Sequence, residues 1–202
     1  MAKRVNPSQR IVTAALALAA KQNWRDVALQ EIAAKARVSM AQLHKAYPTK
    51  TAILVAFIRQ TEVSVLETGD AFGPEDTARD RLFEVLMRRF DALANHRDAI
   101  SRIAADLPRD PLAAIEIAPA FFRSMCWMLE AASIPSTGIK GCLHMKGLAV
   151  VWLATLRVWL ADDSPDRART MAALDRNLWR AEDIACRLWW PDLPASRAAE
   201  VS

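Results

Sequence analysis

The stretch that decides the fold is residues 29–54, LQEIAAKARVSMAQLHKAYPTKTAIL. Its apolar residues recur at three- and four-residue steps, which predicts one helix over residues 29–36 and another over 40–46. Ser39 stands at a good N-cap position for the second helix, and Pro48 ends that helix. Two short helices joined by a tight turn are the outline of a helix-turn-helix.

Helices are also predicted on both sides of this stretch. Before it, Pro7 begins a segment whose apolar face includes Ile11 and Leu18. After it, Thr49 is an N-cap for a helix over residues 50–67. The N-terminal part of the chain is therefore predicted to be a small bundle of short helices.

The rest of the chain follows the same helical period. Pro119 is expected to kink or split one helix, and residues 135–141 are expected to form a loop. Before the last helix, Ser164 or Asp163 is the expected N-cap, with Pro165 in the first turn. The predicted helices cover residues 78–93 after a Thr77 cap, 96–107, 112–132, 143–161 and 166–190.

Composition limits the class of protein. The chain has 202 residues, 52% hydrophobic and 25% charged, with 5 Gly and 10 Pro, which excludes disordered, collagen-like and all-β chains. Its three cysteines are too few and too widely spaced for a disulfide framework or a zinc cluster, which favours a reducing cytoplasmic location. No secretory signal is recognised, and the apolar run over residues 147–160 is shorter than a bilayer span.

Positive charge is concentrated in the first sixty residues. They hold ten Lys or Arg and two acidic residues, a net charge of +8, whereas the remaining 142 residues carry −4. Such asymmetry is typical of a head that binds a polyanion. A solvated, lysine-rich helical surface would give the same count, so charge alone leaves both interpretations open.

No pattern in the sequence predicts catalysis. The histidines at positions 44, 96 and 144 are far apart, and no metalloprotease, phosphate-loop or nucleophile motif is present. The acidic residues Asp162, Asp163 and Asp166 are better explained by helix capping. We therefore predict that the protein is not an enzyme and has no catalytic residues, metal or cofactor.

The N-terminal pattern resembles the DNA-binding domain of the TetR family. The resemblance covers about 45 residues, from I-x-x-A-A-L-A-L-A at Ile11 to L-H-K-A-Y-P-T-K-T-A-I-L ending at Leu54. Arg37 departs from the pattern, which most often has Gly there, at a turn residue with positive φ. The resemblance implies an all-α fold, with a three-helix helix-turn-helix head over residues 1–55, an effector-binding and dimerisation body over 56–190 and a flexible tail over 191–202.

The resemblance also implies a function. The protein would be a dimeric, cytoplasmic transcriptional regulator whose partners are duplex DNA, a second copy of itself and an apolar small molecule. Gln42 would pair with adenine, whereas Lys45 and Lys50 would contact phosphates. The implied DNA-binding residues are Ser39, Met40, Gln42, His44, Lys45, Tyr47, Thr49 and Lys50.

Aromatic and methionine side chains gather in the central helices of the body. Flexible Met side chains beside aromatic rings suit a cavity for an apolar ligand, although core packing is the better explanation of any single one of them. A second lipid-binding surface is predicted around Trp189 and Trp190. The predicted cavity residues are Phe121, Phe122, Met125, Met128, Trp152, Leu156 and Trp159.

The body is similar to a second family as well. Residues 159–166, WLADDSPD, and the helix after them resemble the accessory proteins of ubiquinone biosynthesis, which have the TetR fold but bind lipid. This resemblance implies an alternative function, a carrier of an isoprenoid lipid with peripheral membrane contact and no DNA binding. Operator sequence, effector identity and the choice between repression and activation do not follow from the sequence.

Overall fold

The computed structural model of the chain describes residues 6–69 and 72–189, with side chains to residue 185. These residues form α-helices joined by short turns, with 3₁₀ turns at Trp24–Asp26, Ala94–His96 and Leu107–Arg109. The helices are α1 (Pro7–Ala19), α2 (Leu29–Ala36), α3 (Met40–Ala46), α4 (Lys50–Glu67), α5 (Ala78–Leu93), α6 (Arg97–Asp106), α7 (Pro111–Ala131), α8 (Gly138–Leu160) and α9 (Ala168–Trp189). The all-α prediction is confirmed.

The chain divides into two compact units within α8. The first unit ends at Lys146 and the second begins at Gly147. The division predicted at residue 55 falls inside α4, a continuous helix that packs against both α1 and α7. The division at residue 55 stays a prediction, and the predicted tail lies outside the described residues.

The head is built around one apolar cluster. Ile11, Ile32, Leu43 and Ile53, one from each of α1 to α4, are almost completely buried in it. Ile117 from α7 belongs to the same cluster, so the head shares its core with a body helix. Burial of these side chains, worth roughly 1.5–3 kcal/mol each, fixes how the short helices pack.

The turn between α2 and α3 has the geometry that the sequence pattern requires. Arg37 adopts the left-handed conformation, with φ 53° and ψ 50°. The Val38 amide donates to the Ala33 carbonyl at 3.0 Å and the Arg37 amide to that of Ala34 at 3.1 Å, which is a Schellman motif. The helix α3 ends at Ala46, and the hydroxyl of Thr49 then caps α4 as predicted.

Two predictions about the body helices were wrong, namely the split at Pro119 and the start of the next helix, whereas a kink at Pro119 stays a prediction. The helix α7 continues through Pro119 without a break, because proline removes only one backbone hydrogen bond and the flanking turns stay helical. The helix α8 begins at Gly138, five residues earlier than predicted, and so includes part of the expected loop. A Cβ atom at Gly141 would lie 2.1 Å from the Ser136 backbone, so that close approach requires glycine.

The connection from α8 to α9 is organised by Asp162. Its buried carboxylate accepts hydrogen bonds from the amide and hydroxyl of Thr170, at 2.8 and 2.6 Å, and from the amide and hydroxyl of Ser164. These bonds hold the pKa of Asp162 well below its usual range. Ser164 or Asp163 was the predicted cap of the last helix, but it is Asp162 that accepts the Thr170 amide in the first turn of α9. Pro165 lies in the turn before α9.

Two of these helices are long and apolar enough to cross a membrane by length and composition, namely α7 and α8. Helices in the core of a soluble protein meet the same criterion, and α7 packs along α4 within the first unit. From the sequence, the longest predicted apolar run is that over residues 147–160, which is shorter than a bilayer span. For α8 the difference arises because the helix begins at Gly138, well before the run over residues 147–160.

Candidate nucleic-acid interface

The helix α3 presents one face to solvent. Leu43 anchors it in the head core with only 1% of its surface exposed. Met40 is 43% exposed, and Ala41, His44 and Lys45 are exposed as well. This face carries one cation, one imidazole and one flexible apolar side chain, which are suited to phosphates, base edges and thymine methyl groups in a major groove.

Ser39 and Gln42 hold each other at the start of α3. The Ser39 hydroxyl accepts the Gln42 amide at 3.1 Å, and the Gln42 side-chain oxygen accepts the Ser39 amide at 2.9 Å. This reciprocal pair is a capping box, which satisfies two amides at the helix end. The Gln42 side-chain oxygen therefore accepts the Ser39 amide, whereas bidentate pairing with adenine would need that oxygen to face the base.

Lys50 is tied to the interior of the head. Its ammonium donates to the carbonyls of Trp24, Arg25 and Val27, at 2.6, 3.2 and 2.9 Å, and lies 4.8 Å from the centre of the Trp24 ring. Burial lowers the pKa of Lys50, while the carboxylates of Asp26, Asp110 and Asp106 oppose that shift. The ammonium thus has three protein acceptors, and a phosphate contact by Lys50, which stays a prediction, would compete with them.

Tyr47 and Thr49 are also used within the head. Tyr47 packs partly against the apolar core, and its hydroxyl donates to the Ser8 carbonyl at 3.4 Å. Burial raises the pKa of this phenol. The Thr49 hydroxyl accepts the Ala52 amide at 3.1 Å and so caps α4. Five of the eight residues predicted to bind DNA thus use their side chains in hydrogen bonds within the head. The other three, Met40, His44 and Lys45, have exposed side chains.

A polar chain that sequence reasoning missed joins the head to α7. The hydroxyls of Thr49 and Thr51 are 2.9 Å apart, and Thr51 donates to the carboxylate of Glu116. These side chains line an open groove of about 740 Å³. The partners Thr51 and Glu116 are 65 residues apart, so no local pattern signals their contact.

The predicted cavity residues are divided between the two units. Within α7, Met125 and Met128 are completely buried, whereas Phe122 is 37% exposed. Within α8, Trp152 and Trp159 are buried. The predicted cavity relied on a helix broken at Pro119, and α7 is unbroken, so that support is lost. The lipid surface predicted around Trp189 and Trp190 lies outside the described side chains.

Comparison with known proteins agrees with this geometry. Residues 11–57 match the family model described as bacterial regulatory proteins, tetR family. No curated protein sequence matches the chain. A solved structure of a TetR transcriptional regulator from Nitrosomonas europaea is similar, at 26% identity and a TM-score of 0.68, over 87% of this chain and 97% of the other.

Two more distant structures share the fold. A TetR transcriptional regulator from a Rhodococcus species has 20% identity and a TM-score of 0.59, with 89% of this chain and 97% of the other covered. A tetR-family regulator from Streptomyces coelicolor has 17% identity and a TM-score of 0.58, with 90% and 82% covered.

The chain is thus an all-α protein with a helix-turn-helix head and a helical body. It has the fold of TetR-family transcriptional regulators, and its head is the tetR-family helix-turn-helix domain. These similar structures are described as transcriptional regulators, which agrees with the prediction that this protein is not an enzyme.

Proposed function

We propose that the protein is a cytoplasmic, dimeric transcriptional regulator that binds duplex DNA through α3 and an apolar small molecule through its body. The observation that carries DNA binding is the exposed face of α3, with Met40, His44 and Lys45, within the first sixty residues, which have a net charge of +8. Long-range attraction to phosphates follows from that charge, and contact with base edges follows from the exposed helix.

Unpaired apolar faces on α8 and α9 support dimerisation. On α8 the exposed apolar residues follow one another at steps of four, seven and three, which places them along one helix face. Exposed aromatic and aliphatic side chains on α9 add to the surface that a second copy would cover. These residues are Ile139, Leu143, Val150 and Leu153 on α8, and Trp179 and Ile184 on α9.

The aromatic anchor of that interface is Trp179 in this proposal. Trp152 on α8 is only 3% exposed and so is part of the core. Trp179 is 54% exposed on α9. Large aromatic side chains of this kind carry much of the binding energy in interfaces. Recognition of two DNA half-sites requires two copies of α3, which a dimer supplies.

Support for an apolar effector comes from the body's composition. The helices α7 and α8 are rich in Met and aromatic side chains, which adapt to ligands of different shape. The protein's melting temperature in increasing n-dodecanol or farnesol tests this proposal. A rise that saturates with concentration indicates a specific site, since a ligand that binds only the folded state stabilises it. Unchanged melting with both probes would remove the effector from the proposal.

The alternative of a lipid carrier in quinone synthesis has less support. The D-S-P-D loop suggested it, and that loop is accounted for by the four hydrogen bonds to Asp162. Binding and carrying a lipid in the body would not require a basic head with an exposed α3 face. Mass spectrometry of co-purified molecules separates the two functions, because a bound isoprenoid supports the carrier and a bound oligonucleotide supports the regulator.

Selection from random duplexes tests the regulator directly. The purified full chain is incubated with a pool of random 30-base-pair duplexes, and the bound fraction is sequenced after several rounds. We expect a palindromic motif whose half-sites are about one helical turn apart, or a multiple of it. The double variant that combines Lys45→Ala with His44→Ala is the negative control. Both side chains are exposed, so their removal leaves the core intact. Recovery of no enriched motif would contradict the proposal.

A further inference from the structure

A basic groove crosses the head between α1 and the C-terminal end of α2. Its volume is about 670 Å³. Small side chains, among them Ala14 and Ala36, form its walls and leave the space open. Three cations also line it, namely Arg10, Lys35 and Arg37. We refer to it as the α1–α2 groove.

The charges of the α1–α2 groove are all of one sign. Of the residues described by the structure, those that line it include no acidic side chain. Arg10 is held in place, because its guanidinium donates to the carbonyl of Arg37 at 3.0 Å and to that of Ala36. Lys35 and Arg37 are exposed. A concave surface with three cations attracts an anion more strongly than the same charges dispersed over a convex surface.

Arg37 occupies its position at a cost in backbone energy. Its φ of 53° lies in the left-handed region, where glycine adopts the conformation without steric cost and other residues do not. The Schellman motif at this turn needs the conformation but not the side chain. Residues held in unfavourable backbone conformations cluster at binding sites. The guanidinium of Arg37 is therefore the part of the residue that needs an explanation.

The groove also lies next to the proposed DNA-binding helix. Arg37 is two residues before Ser39, the N-cap of α3, so the chain between them spans at most about 7 Å. Duplex DNA carries one phosphate charge per roughly 1.7 Å of its axis. A duplex whose major groove accommodates the first residues of α3 therefore brings phosphates close to Arg37 and Lys35.

We propose that the α1–α2 groove binds the phosphodiester backbone of duplex DNA beside the segment contacted by α3. Lys35 and Arg37 donate charge-assisted hydrogen bonds to the phosphate oxygens, and Arg10 adds a fixed positive charge. This inference rests on the proposed DNA-binding function and extends it to a second contact surface of the head. The turn between α2 and α3 thereby becomes part of the interface.

Fluorescence anisotropy with a labelled 30-base-pair duplex tests the inference at 50, 100 and 200 mM KCl. The variants are Arg37→Gly and Lys35→Gln, with Arg37→Lys to retain the charge. Lys21→Gln is the matched control, since it removes an exposed lysine outside the groove. We expect Arg37→Gly and Lys35→Gln each to weaken binding roughly five- to tenfold at 100 mM and to reduce the salt slope by about one. Arg37→Lys and Lys21→Gln should bind like the unmodified protein.

Thermal unfolding excludes a folding defect as the cause. Because glycine relieves the backbone strain, Arg37→Gly should melt about 2–4 °C higher while it binds DNA more weakly. A purely structural role for Arg37 predicts no loss of DNA affinity in that stabilised variant.

Three results would overturn the inference. If the unmodified protein binds DNA with a steep salt slope and both groove variants match Lys21→Gln, the groove is wrong while the DNA-binding function stands. If inorganic phosphate raises the melting temperature of the unmodified protein but not of Arg37→Gly, and DNA affinity is equal in both, the groove holds a small anion instead of DNA. If the unmodified protein binds no duplex at 50 mM KCl, the proposed function fails and the inference fails with it.

Discussion

Thr51 on α4 donates its hydroxyl to the carboxylate of Glu116 on α7. Thr51 itself is within hydrogen-bond distance of Thr49, the N-cap of α4, so a polar chain leads from the end of the DNA-binding head to a body helix. Ile117, the residue after Glu116, belongs to the head core. Two neighbouring residues of α7 thus contact the head, one through a polar and one through an apolar side chain.

Removal of the Glu116 carboxylate should loosen that attachment. We expect Glu116→Ala to reduce the free energy of unfolding by about 1 kcal/mol, because the nearly buried Thr51 hydroxyl loses a charged acceptor that is itself exposed to solvent. Urea unfolding of Glu116→Ala, Thr51→Val and the double variant measures the coupling. If the two single losses simply add, the hydrogen bond contributes nothing.

The two lysines of the helix-turn-helix should behave differently. Lys50→Met should reduce the free energy of unfolding by about 2 kcal/mol, since three backbone carbonyls lose their charged donor. Lys45→Met should change stability by less than about 0.5 kcal/mol, because its side chain is exposed. The DNA salt slope should fall by about one for Lys45→Met only. Equal stability of the two variants would show that the Lys50 contacts are unimportant.

Through the capping box, Gln42 stabilises the start of α3. Ser39→Ala should reduce the free energy of unfolding by about 1 kcal/mol, whereas Ser39→Asp should preserve the cap. Gln42→Ala should lose part of the same stability, because its side chain accepts the Ser39 amide. DNA selected by Gln42→Ala should keep its preferred bases. A relaxed base preference in that variant would show that Gln42 leaves the cap and reads DNA.

A charge on the exposed face of α8 should prevent dimerisation. Light scattering of the unmodified protein should give twice the chain mass of 22.4 kDa. Leu153→Arg should give the monomer mass at micromolar concentration, because an unpaired charge buried in an interface is strongly unfavourable. Leu112→Arg on α7, which is 74% exposed, is the control and should remain dimeric. A monomeric unmodified protein would contradict the proposed interface.

Asp162 should make the stability of the protein depend on pH. Its folded-state pKa lies below the ordinary value of 3.8, chiefly because of the hydrogen bonds from Ser164 and Thr170. The stabilisation is therefore complete above about pH 4 and is lost as the pH falls through the folded-state pKa. Asp162→Asn should melt lower than the unmodified protein at pH 7, with a smaller difference at pH 3. Asp175→Asn, an exposed change on α9, should show no such difference.

The sequence alone was sufficient to predict the head. Local signals fixed its helices, because Ser39, Thr49 and the apolar period act over only three or four residues. The bounds of α2, α3 and α4 agree with the prediction for this reason. The same reasoning was less successful in the body, where proline was expected to interrupt α7. Packing along α4 and the remaining backbone bonds outweigh a single missing donor.

Only the tertiary structure decided which polar side chains of the head face outward. Lys45 and Lys50 have the same charge and similar sequence surroundings, yet the carbonyls that bind Lys50 come from residues 24–27, more than twenty positions away. The contact of Thr51 with Glu116 and the convergence of Arg10 with Lys35 and Arg37 are non-local in the same sense. A periodic pattern records which residues share a helix face, but the partner of that face is set by the packing of distant helices.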